Sequence, residues 1–354
     1  MWRGPQLDII ALHRSEERGT FFPEASARPI FFDATIKAWV VASARQCEAI
    51  LLSPHLSVSP YRLVYEDMAR RNPHFAFPNL LFAFKYIPMC VNGDEHRSAR
   101  RRIAEFVAGR KSIASAAAQD IVDRWVGKLA GSAQIELMEE VLQPMVKEFL
   151  AALIGTEATG LIHGASAVFD RMMGARKRRK LDDELGAIRA RIRHTIGPNG
   201  SEEEEGIRLA LFVLGNDALA GGFGESLYQV FRANPERLLS EIDYPAVPNE
   251  TAIPFVERIV TEPFECEGVA FRKGDRIRIM LQSFLYTGDA ADRVRVFGAG
   301  IHTCLGRQLS LEFWSVFTRR LSQITARVEI LDYALRDEDY VFTYPSKLLI
   351  ALKP

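Results

Sequence analysis

Apolar residues recur at helical spacing in two long parts of the chain. Leu309, Phe313 and Phe317 lie four positions apart, which predicts a long amphipathic helix. Residues 207–231 are almost continuously apolar and predict a second helix, buried on most sides. Ser201, with a glutamate three residues later, has the pattern of a capping box at the start of that helix.

The pattern changes in the C-terminal third. Residues 255–281 alternate short apolar runs with turn residues, which indicates short strands and a hairpin turn. Residues 328–354 show the same pattern. The sequence therefore predicts a mainly α fold with a small β region concentrated in the C-terminal third, arranged as a single domain over residues 1–354.

The apolar helix contains an unusual number of glycines: Gly215, Gly221, Gly222 and Gly224. Each glycine inside a helix lowers its stability by about 1 kcal/mol relative to alanine, so these positions need a reason. Two explanations fit equally well. Either a flat cofactor approaches the helix backbone closely, or the helix packs tightly against another element.

Charge excludes some classes of partner. The chain of 354 residues carries 45 basic and 45 acidic residues, so no overall field attracts it to nucleic acid or to an anionic membrane. The strongest local charge is the run RKRRK at residues 176–180, for which a solvated helix face is the expected meaning and a nucleic-acid patch the weaker one. No stretch has the continuous apolar character of a signal peptide or a membrane span.

The cysteines favour a reducing compartment. The chain has four cysteines, far apart and without Cys-x-x-Cys spacing, which argues against a disulfide framework and against a zinc ribbon. We therefore expect a cytoplasmic protein with neither a nucleic-acid nor a membrane partner.

The most informative segment is FGAGIHTCLG at residues 297–306, a glycine-lined loop that presents Cys304 at the start of a predicted helix. A dinucleotide-binding fingerprint would need glycine at position 303, where threonine stands. Backbone N–H groups and the dipole of a helix N-terminus stabilise a thiolate. The glycines would let the main chain pass under a planar ring without Cβ clashes.

This segment matches every fixed position of Phe-Gly-x-Gly-x-His-x-Cys-x-Gly and resembles the haem-binding loop of the cytochrome P-450 superfamily. The resemblance extends over about residues 90–324. It implies a cytochrome P-450-like fold with a haem b cofactor (iron protoporphyrin IX), and Cys304 as the metal ligand. Phe297, Gly298 and Gly306 are then further cofactor-binding positions in the loop. A thiolate ligand pushes electron density onto haem iron and favours O–O cleavage.

Two basic residues one helical turn apart, His96 and Arg100, lie in a segment that resembles the family's helix along the proximal side of the haem. Side chains at positions i and i+4 share a helix face, and charge-assisted hydrogen bonds to carboxylates are strong. By the resemblance, these two residues are expected to bind the haem propionates together with Arg258 and His302.

The sequence departs from the family in the distal helix. The family's Gly-x-Asp/Glu-Thr appears here as GNDA at residues 215–218, so the acid is kept and the hydroxyl is lost. Asp217 and Ala218 are the predicted catalytic positions. Because Ala218 supplies no proton, we expect delivery through water or a substrate group, with Asp217 further back in the relay.

Two more departures concern the proximal side. The family's Glu-x-x-Arg pair is replaced by PAVP at residues 245–248, and only 22 residues separate Gly274 from Phe297. The fold is therefore expected to be shortened on this side, with two helices reduced to loops.

The resemblance implies an oxidoreductase, and monooxygenase-type oxidation of a small or medium organic molecule is the leading interpretation. A haem-thiolate peroxygenase, isomerase or dehydratase is the alternative. A non-catalytic haem-binding or sensor protein is an alternative of another class.

Two surfaces follow from the same resemblance. Basic residues near the proximal helix are expected to dock an acidic ferredoxin-type redox partner: Arg97, Arg101, Arg102, Arg110 and Lys111. The walls of the substrate pocket are expected to include Phe75, Phe77, Phe82, Phe84, Tyr86, Gly215, Ala218, Leu219, Pro254 and Phe255.

Overall fold

The structure is a computed structural model that describes residues 18–158, 161–162, 164–170, 173–336 and 342–354. Helices make up most of it, as the apolar periodicity predicts. Their bounds are α1 (Arg18–Ala25), α2 (Ala44–Leu51), α3 (Tyr61–Arg71), α4 (Pro78–Tyr86), α5 (Gly93–Ala130), α6 (Gln143–Ile154), α7 (Ala175–Ile196), α8 (Glu202–Ala233), α9 (Ser283–Tyr286) and α10 (Arg307–Leu321).

The glycine-containing helix α8 lies at the centre of the core. The Ser201 hydroxyl accepts the N–H of Glu204 at 3.0 Å, and glutamates fill the first turn, where the positive end of the helix dipole favours them. α8 is long and apolar enough to cross a membrane by length and composition alone. However, 72% of the most apolar 18-residue stretch of this helix is buried inside the protein, as in a core helix.

Strands form three sheets in the described chain. A five-stranded sheet has the order β1-β2-β8-β5-β3, a three-stranded sheet β4-β10-β9, and a two-stranded sheet β6-β7. The bounds are β1 (Ile30–Asp33), β2 (Ala38–Val41), β3 (Leu56–Ser57), β4 (Gln134–Glu136), β5 (Phe255–Val260), β6 (Phe264–Cys266), β7 (Val269–Phe271), β8 (Arg276–Met280), β9 (Arg327–Leu335) and β10 (Pro345–Lys353).

The location of the β region was predicted only in part. The C-terminal strands are present, but the largest sheet also takes three strands from the N-terminal sixty residues. β2 runs parallel to β8, with Trp39 opposite Ile277. Such pairings are fixed by tertiary packing, and the short N-terminal strands carry little periodicity of their own.

Short turns and irregular backbone dominate the two segments in which the sequence departs from the family's pattern. Between α8 and β5 the described chain has one 3₁₀ turn, Leu239–Glu241, and otherwise irregular backbone. The carbonyl of Pro245 in this segment accepts the indole N–H of buried Trp314 at 2.7 Å, which ties the loop to α10. Between β8 and α10 the chain forms only α9 and two 3₁₀ turns, Asp292–Phe297 and Gly300–His302.

Candidate functional site

A cavity of about 240 Å³ lies between α8 and the loop that precedes α10. Its walls are mostly apolar. Of the residues predicted for the pocket wall, Gly215, Ala218 and Leu219 line it, all from α8. An apolar cavity with a few polar groups is the usual form of a small-molecule site.

The Cys304 loop forms one side of this cavity and depends on its glycines. Gly298 and Gly300 have φ angles of +83° and +66°, the left-handed region that favours glycine. A Cβ on Gly300 would also lie 3.2 Å from the carbonyl oxygen of Leu51. The N–H of Cys304 donates to the carbonyl of Phe297 at 2.8 Å, which closes the loop and directs the cysteine towards the cavity.

The thiol of Cys304 is exposed to the cavity rather than to the outer surface. Burial by the surrounding protein raises the pKa of this thiol. The backbone N–H of Gly306 and the guanidinium of Arg100 act in the opposite direction, because they stabilise a thiolate. Coordination to a metal ion would deprotonate such a thiol outright.

The four basic side chains that the sequence singles out lie close together, at the cavity or directly behind it. The rings of His96 and His302 lie 4.1 Å apart, centroid to centroid. Arg258 comes from β5 and is 7% exposed, while α5 contributes Arg100 one turn after His96. Arg100, Arg258 and His302 line the cavity directly.

Electrostatics in this cluster favour an anionic ligand. Burial, followed by the charges of Arg100 and Arg258, lowers the pKa of His96 to about 4. Burial, followed by the charge of Arg258, lowers the pKa of His302 to about 3. Burial likewise lowers the pKa of Arg258 to about 10. No carboxylate of the described residues is among the groups that shift these pKa values.

Two buried nitrogen atoms in the cluster, Nε2 of His96 and Nδ1 of His302, have no hydrogen-bond partner among the described residues. Leaving such atoms unpaired is costly in a folded protein. Two propionate groups beside them would satisfy the nitrogens and neutralise the arginines. Among the described residues, no group of three or more His, Cys, Asp or Glu side chains could hold a metal ion.

The three-dimensional structure of the chain, unlike its sequence, resembles known proteins. No family model matches the sequence, and no curated protein matches it either. The three-dimensional structure does match solved ones. P450BioI, solved in complex with an acyl carrier protein ligated to hexadec-9Z-enoic acid, aligns with a TM-score of 0.74 and 17% identity. The alignment covers 96% of this chain and 100% of that chain.

Two further structures give the same result. The cytochrome P-450 haem domain of Tepidiphilus thermophilus aligns with a TM-score of 0.74 and 16% identity over 96% of this chain and 95% of that chain. A Bacillus megaterium cytochrome P-450 solved with testosterone aligns with a TM-score of 0.72 and 15% identity over 96% of this chain and 99% of that chain. The chain has the cytochrome P-450 fold.

Within this cytochrome P-450 fold, Asp217 lies on α8 one residue before Ala218, behind the cavity wall. Its carboxylate is buried and accepts the backbone N–H groups of Gly164 at 3.0 Å and Ser166 at 2.9 Å. The side-chain amide of Asn216 donates to it as well, at 3.0 Å. Asp217 is not among the residues that line the cavity. These bonds hold the 3₁₀ turn Ala165–Phe169 against α8, and the relay role expected from the sequence stays a prediction.

Polar cavity residues that the sequence did not single out are Glu250 and Thr251, in the loop before β5. Glu250 is buried and accepts hydrogen bonds from the Tyr286 hydroxyl and, at 3.3 Å, from the Gln282 amide. No local pattern distinguishes this glutamate from a surface residue, since its partners lie more than thirty positions away.

The aromatic segment predicted for the pocket wall is a core element of this fold instead. Phe77 and Phe84 are fully buried, and the Tyr65 ring packs against both. Phe82 lies under the Arg189 guanidinium at 3.4 Å. The short helix α4 turns its apolar side chains towards α3, α7 and α8 rather than into the cavity. Of the remaining predicted wall residues, Phe255 lines a smaller cavity beside the main one. The others line neither of these two cavities: Phe75, Phe77, Phe82, Phe84, Tyr86 and Pro254.

The glycines of α8 serve both purposes that the sequence left open. Gly215 and Gly222 line the cavity. Gly221 is covered by the ring of Tyr344, and a Cβ there would lie 2.6 Å from the ring. Gly224 packs against Met138. Gly215 combines both, because a Cβ there would lie 2.9 Å from the side chain of Leu150.

The basic residues predicted to dock a ferredoxin are largely paired within the protein. Their partners are Asp94 for Arg97, Glu105 for Arg101 at 4.0 Å, Glu203 for Arg102 at 3.0 Å, Glu312 for Lys111 at 2.8 Å, and the carbonyl of Ala152 for Arg110 at 2.9 Å. Beside the cysteine loop, Ile301 and Leu52 are 69% and 56% exposed. The basic residues predicted for docking are thus largely neutralised, and exposed apolar side chains lie at and beside the cysteine loop.

Proposed function

We propose that the protein is a haem-thiolate oxidoreductase that carries out monooxygenase-type oxidation of a small or medium organic molecule. The proposal rests on the convergence of the Cys304 thiol and four basic side chains on one apolar cavity. When bound, haem b would supply the redox chemistry and the reaction with the oxidant.

The protein's own residues would bind the haem and orient the substrate. Cys304 would hold the iron, with its thiolate stabilised by the N–H of Gly306 and the charge of Arg100. Charge-assisted hydrogen bonds would hold the two propionates. The apolar wall of α8 would exclude water and position the substrate. The propionate-binding residues are His96, Arg100, Arg258 and His302.

Proton delivery favours a second candidate, a peroxygenase. Ala218 has no hydroxyl, and the Asp217 carboxylate is engaged by backbone amides. General acid–base help is typically worth about 10²- to 10⁴-fold, so its loss would slow a reaction that starts from molecular oxygen. Hydrogen peroxide brings both electrons and both protons, and a reaction that starts from it depends less on a relay.

One comparison tests these candidates. Compounds that perturb the haem absorption of the purified, haem-loaded protein are selected from a library. Product formation is then measured with NAD(P)H and a ferredoxin-linked reductase, and separately with hydrogen peroxide. Turnover with the reductase supports the monooxygenase, and turnover with peroxide alone supports the peroxygenase. Redox-neutral conversion would identify an isomerase or dehydratase, and binding without any product a sensor.

The redox partner of the monooxygenase would be a small ferredoxin-type protein that meets the face around Ile301 and Leu52. Because most arginines on this face are already paired, we expect electron transfer to depend only weakly on salt. Charge reversal at Arg101, whose carboxylate partner is the most distant of the set, is the variant to compare with wild type.

A further inference from the structure

The basic run at residues 176–180 takes no part in the haem site and is badly placed for stability. It forms the first turn of α7, which has no acidic residue in that turn and no side-chain cap from Gly174. Cations at a helix N-terminus are unfavourable, because the helix dipole is positive there. α8 has the opposite arrangement, with glutamates throughout its first turn. The run therefore needs an explanation other than helix stability.

Contacts place the start of α7 beside the end of α3. The guanidinium of Arg178 lies 5.4 Å over the ring of Tyr65 and 3.8 Å from the sulfur of Met68. At this end of α3, Arg70 and Arg71 share a single carboxylate, that of Asp67, at 3.5 and 2.8 Å. One aspartate leaves one of these two positive charges uncompensated.

Near the start of α7, Lys180 pairs with Glu184 at 3.7 Å, whereas Arg179 is held by neutral groups. Arg179 donates to the carbonyl oxygens of His74 at 2.6 Å and Ala76 at 3.0 Å, so its partners are uncharged. Its guanidinium also lies 4.8 Å over the Phe77 ring, which holds the exposed side chain in place. A side chain that is already ordered loses less entropy on binding. We call Arg70, Arg71, Arg176, Lys177 and Arg179 the α3–α7 surface.

An apolar element adjoins the α3–α7 surface. Leu63 and Val64 on α3 are 58% and 51% exposed. Tyr61 at the start of the same helix lines a smaller cavity of about 60 Å³. That cavity and the main one share wall residues, among them Ile253. Two members of the α3–α7 surface, Arg70 and Arg71, thus lie on the same helix, α3, as Tyr61, which is close to the main cavity.

We propose that the α3–α7 surface docks a small acidic protein. Its charge attracts an acidic partner, while Asp67 and Asp183 among the basic residues give a protein partner complementary pairs that fix its orientation. An anionic bilayer fits less well, because membrane insertion depends on buried apolar area and two aliphatic side chains supply little of it. Nucleic acid fits less well too, since Tyr65 and Phe77 are buried and unavailable for stacking on bases.

A binding experiment on the haem-loaded full chain tests the proposal. The probes are poly-L-glutamate, vesicles of phosphatidylglycerol and duplex DNA. The Arg176→Glu/Lys177→Glu double variant is expected to weaken polyglutamate binding about tenfold or more, because two attractive charges become repulsive. Arg191→Glu, on the exposed C-terminal half of the same helix, is the matched control and should change binding little.

The native partner is tested with a photoreactive amino acid placed at position 177 in the cellular protein. A discrete adduct with a protein of low pI, reduced by Arg70→Glu/Arg71→Glu, supports the proposal. Tighter binding to vesicles or DNA than to polyglutamate would overturn it in favour of another partner. Equal loss in the double variant and the control, or no binding and no adduct, would leave only a solvated helix face. These readouts need no turnover, so they stand apart from the proposed haem chemistry.

Discussion

The imidazole rings of His96 and His302 lie 4.1 Å apart, tilted by 47°, beside two arginines. Among the described residues, no carboxylate shifts the pKa of either ring. Burial holds the pKa of His96 at about 4 and that of His302 at about 3, so both rings are neutral at neutral pH. Each neutral ring can donate one N–H bond. A dianionic ligand beside them would raise both pKa values.

The first prediction concerns the pH dependence of the protein without cofactor. Between about pH 4 and 6.5 the unfolded chain binds a proton at His96 and the folded chain does not, so stability falls as pH decreases through this window. From pH 7 to pH 5 the loss from His96 is roughly 2 kcal/mol. Denaturant unfolding at the two pH values measures it.

His96→Gln should reduce this difference, whereas His74→Gln, at an exposed position, should keep it. Haem binding should also reduce it, because propionates favour the protonated rings. Equal pH dependence in wild type and His96→Gln would show that the buried imidazole is not the group responsible.

The second prediction concerns the iron ligand. The wild-type protein, reduced under carbon monoxide, should show the strongly red-shifted Soret band of a thiolate-ligated haem. Cys304→Ser should lose that band, since the alcohol is not a thiolate donor. Cys266→Ser, on β6 outside the cavity, should keep it. An unshifted band in wild type would remove the haem-thiolate assignment.

The third prediction follows from the partners of Asp217. Asp217→Asn replaces an acceptor oxygen with a donor that faces the backbone N–H of Gly164 or Ser166. We expect a loss of about 1–3 kcal/mol in the free energy of unfolding. Ala218→Thr, which adds a hydroxyl in the cavity, should change stability less. If Asp217→Asn instead keeps full stability while product formation slows, the relay role is the correct one.

The fourth prediction separates the two kinds of glycine in α8. Gly221→Ala places a methyl 2.6 Å from the ring of buried Tyr344 and should destabilise the protein by about 1–3 kcal/mol. Gly222→Ala meets nothing closer than 3.8 Å and should leave stability unchanged or raise it by up to about 1 kcal/mol. Thermal unfolding measures both. Ligand affinity should change in Gly222→Ala, because this residue lines the cavity.

Features set by local sequence were predictable. The glycines of residues 297–306, the i and i+4 spacing of His96 and Arg100, and the cap at Ser201 each depend on residues within a few positions. Their geometry follows from backbone sterics and helix periodicity. In the structure Gly298, Gly306 and Arg100 line the cavity, and the Ser201 cap forms at the start of α8.

Features set by partners far away in the chain could not be predicted from the sequence. The carboxylate of Asp217 meets backbone amides some fifty positions earlier, and β2 pairs with a strand more than 230 positions later. Nothing in the immediate neighbourhood of these residues encodes such contacts. The aromatic residues of α4 show the same limit, since the core and a pocket wall select the same apolar side chains.

The convergence of like charges around His302 has a consequence for the life of the protein in a cell. The charged members, Arg100 and Arg258, come from α5 and β5, which lie far apart in the chain, and they repel each other until an anion joins them. A ligand that binds only the folded state shifts the folding equilibrium by mass action. A newly synthesised chain short of haem should therefore be cleaved sooner by proteases, and the cellular level of the protein should follow haem supply.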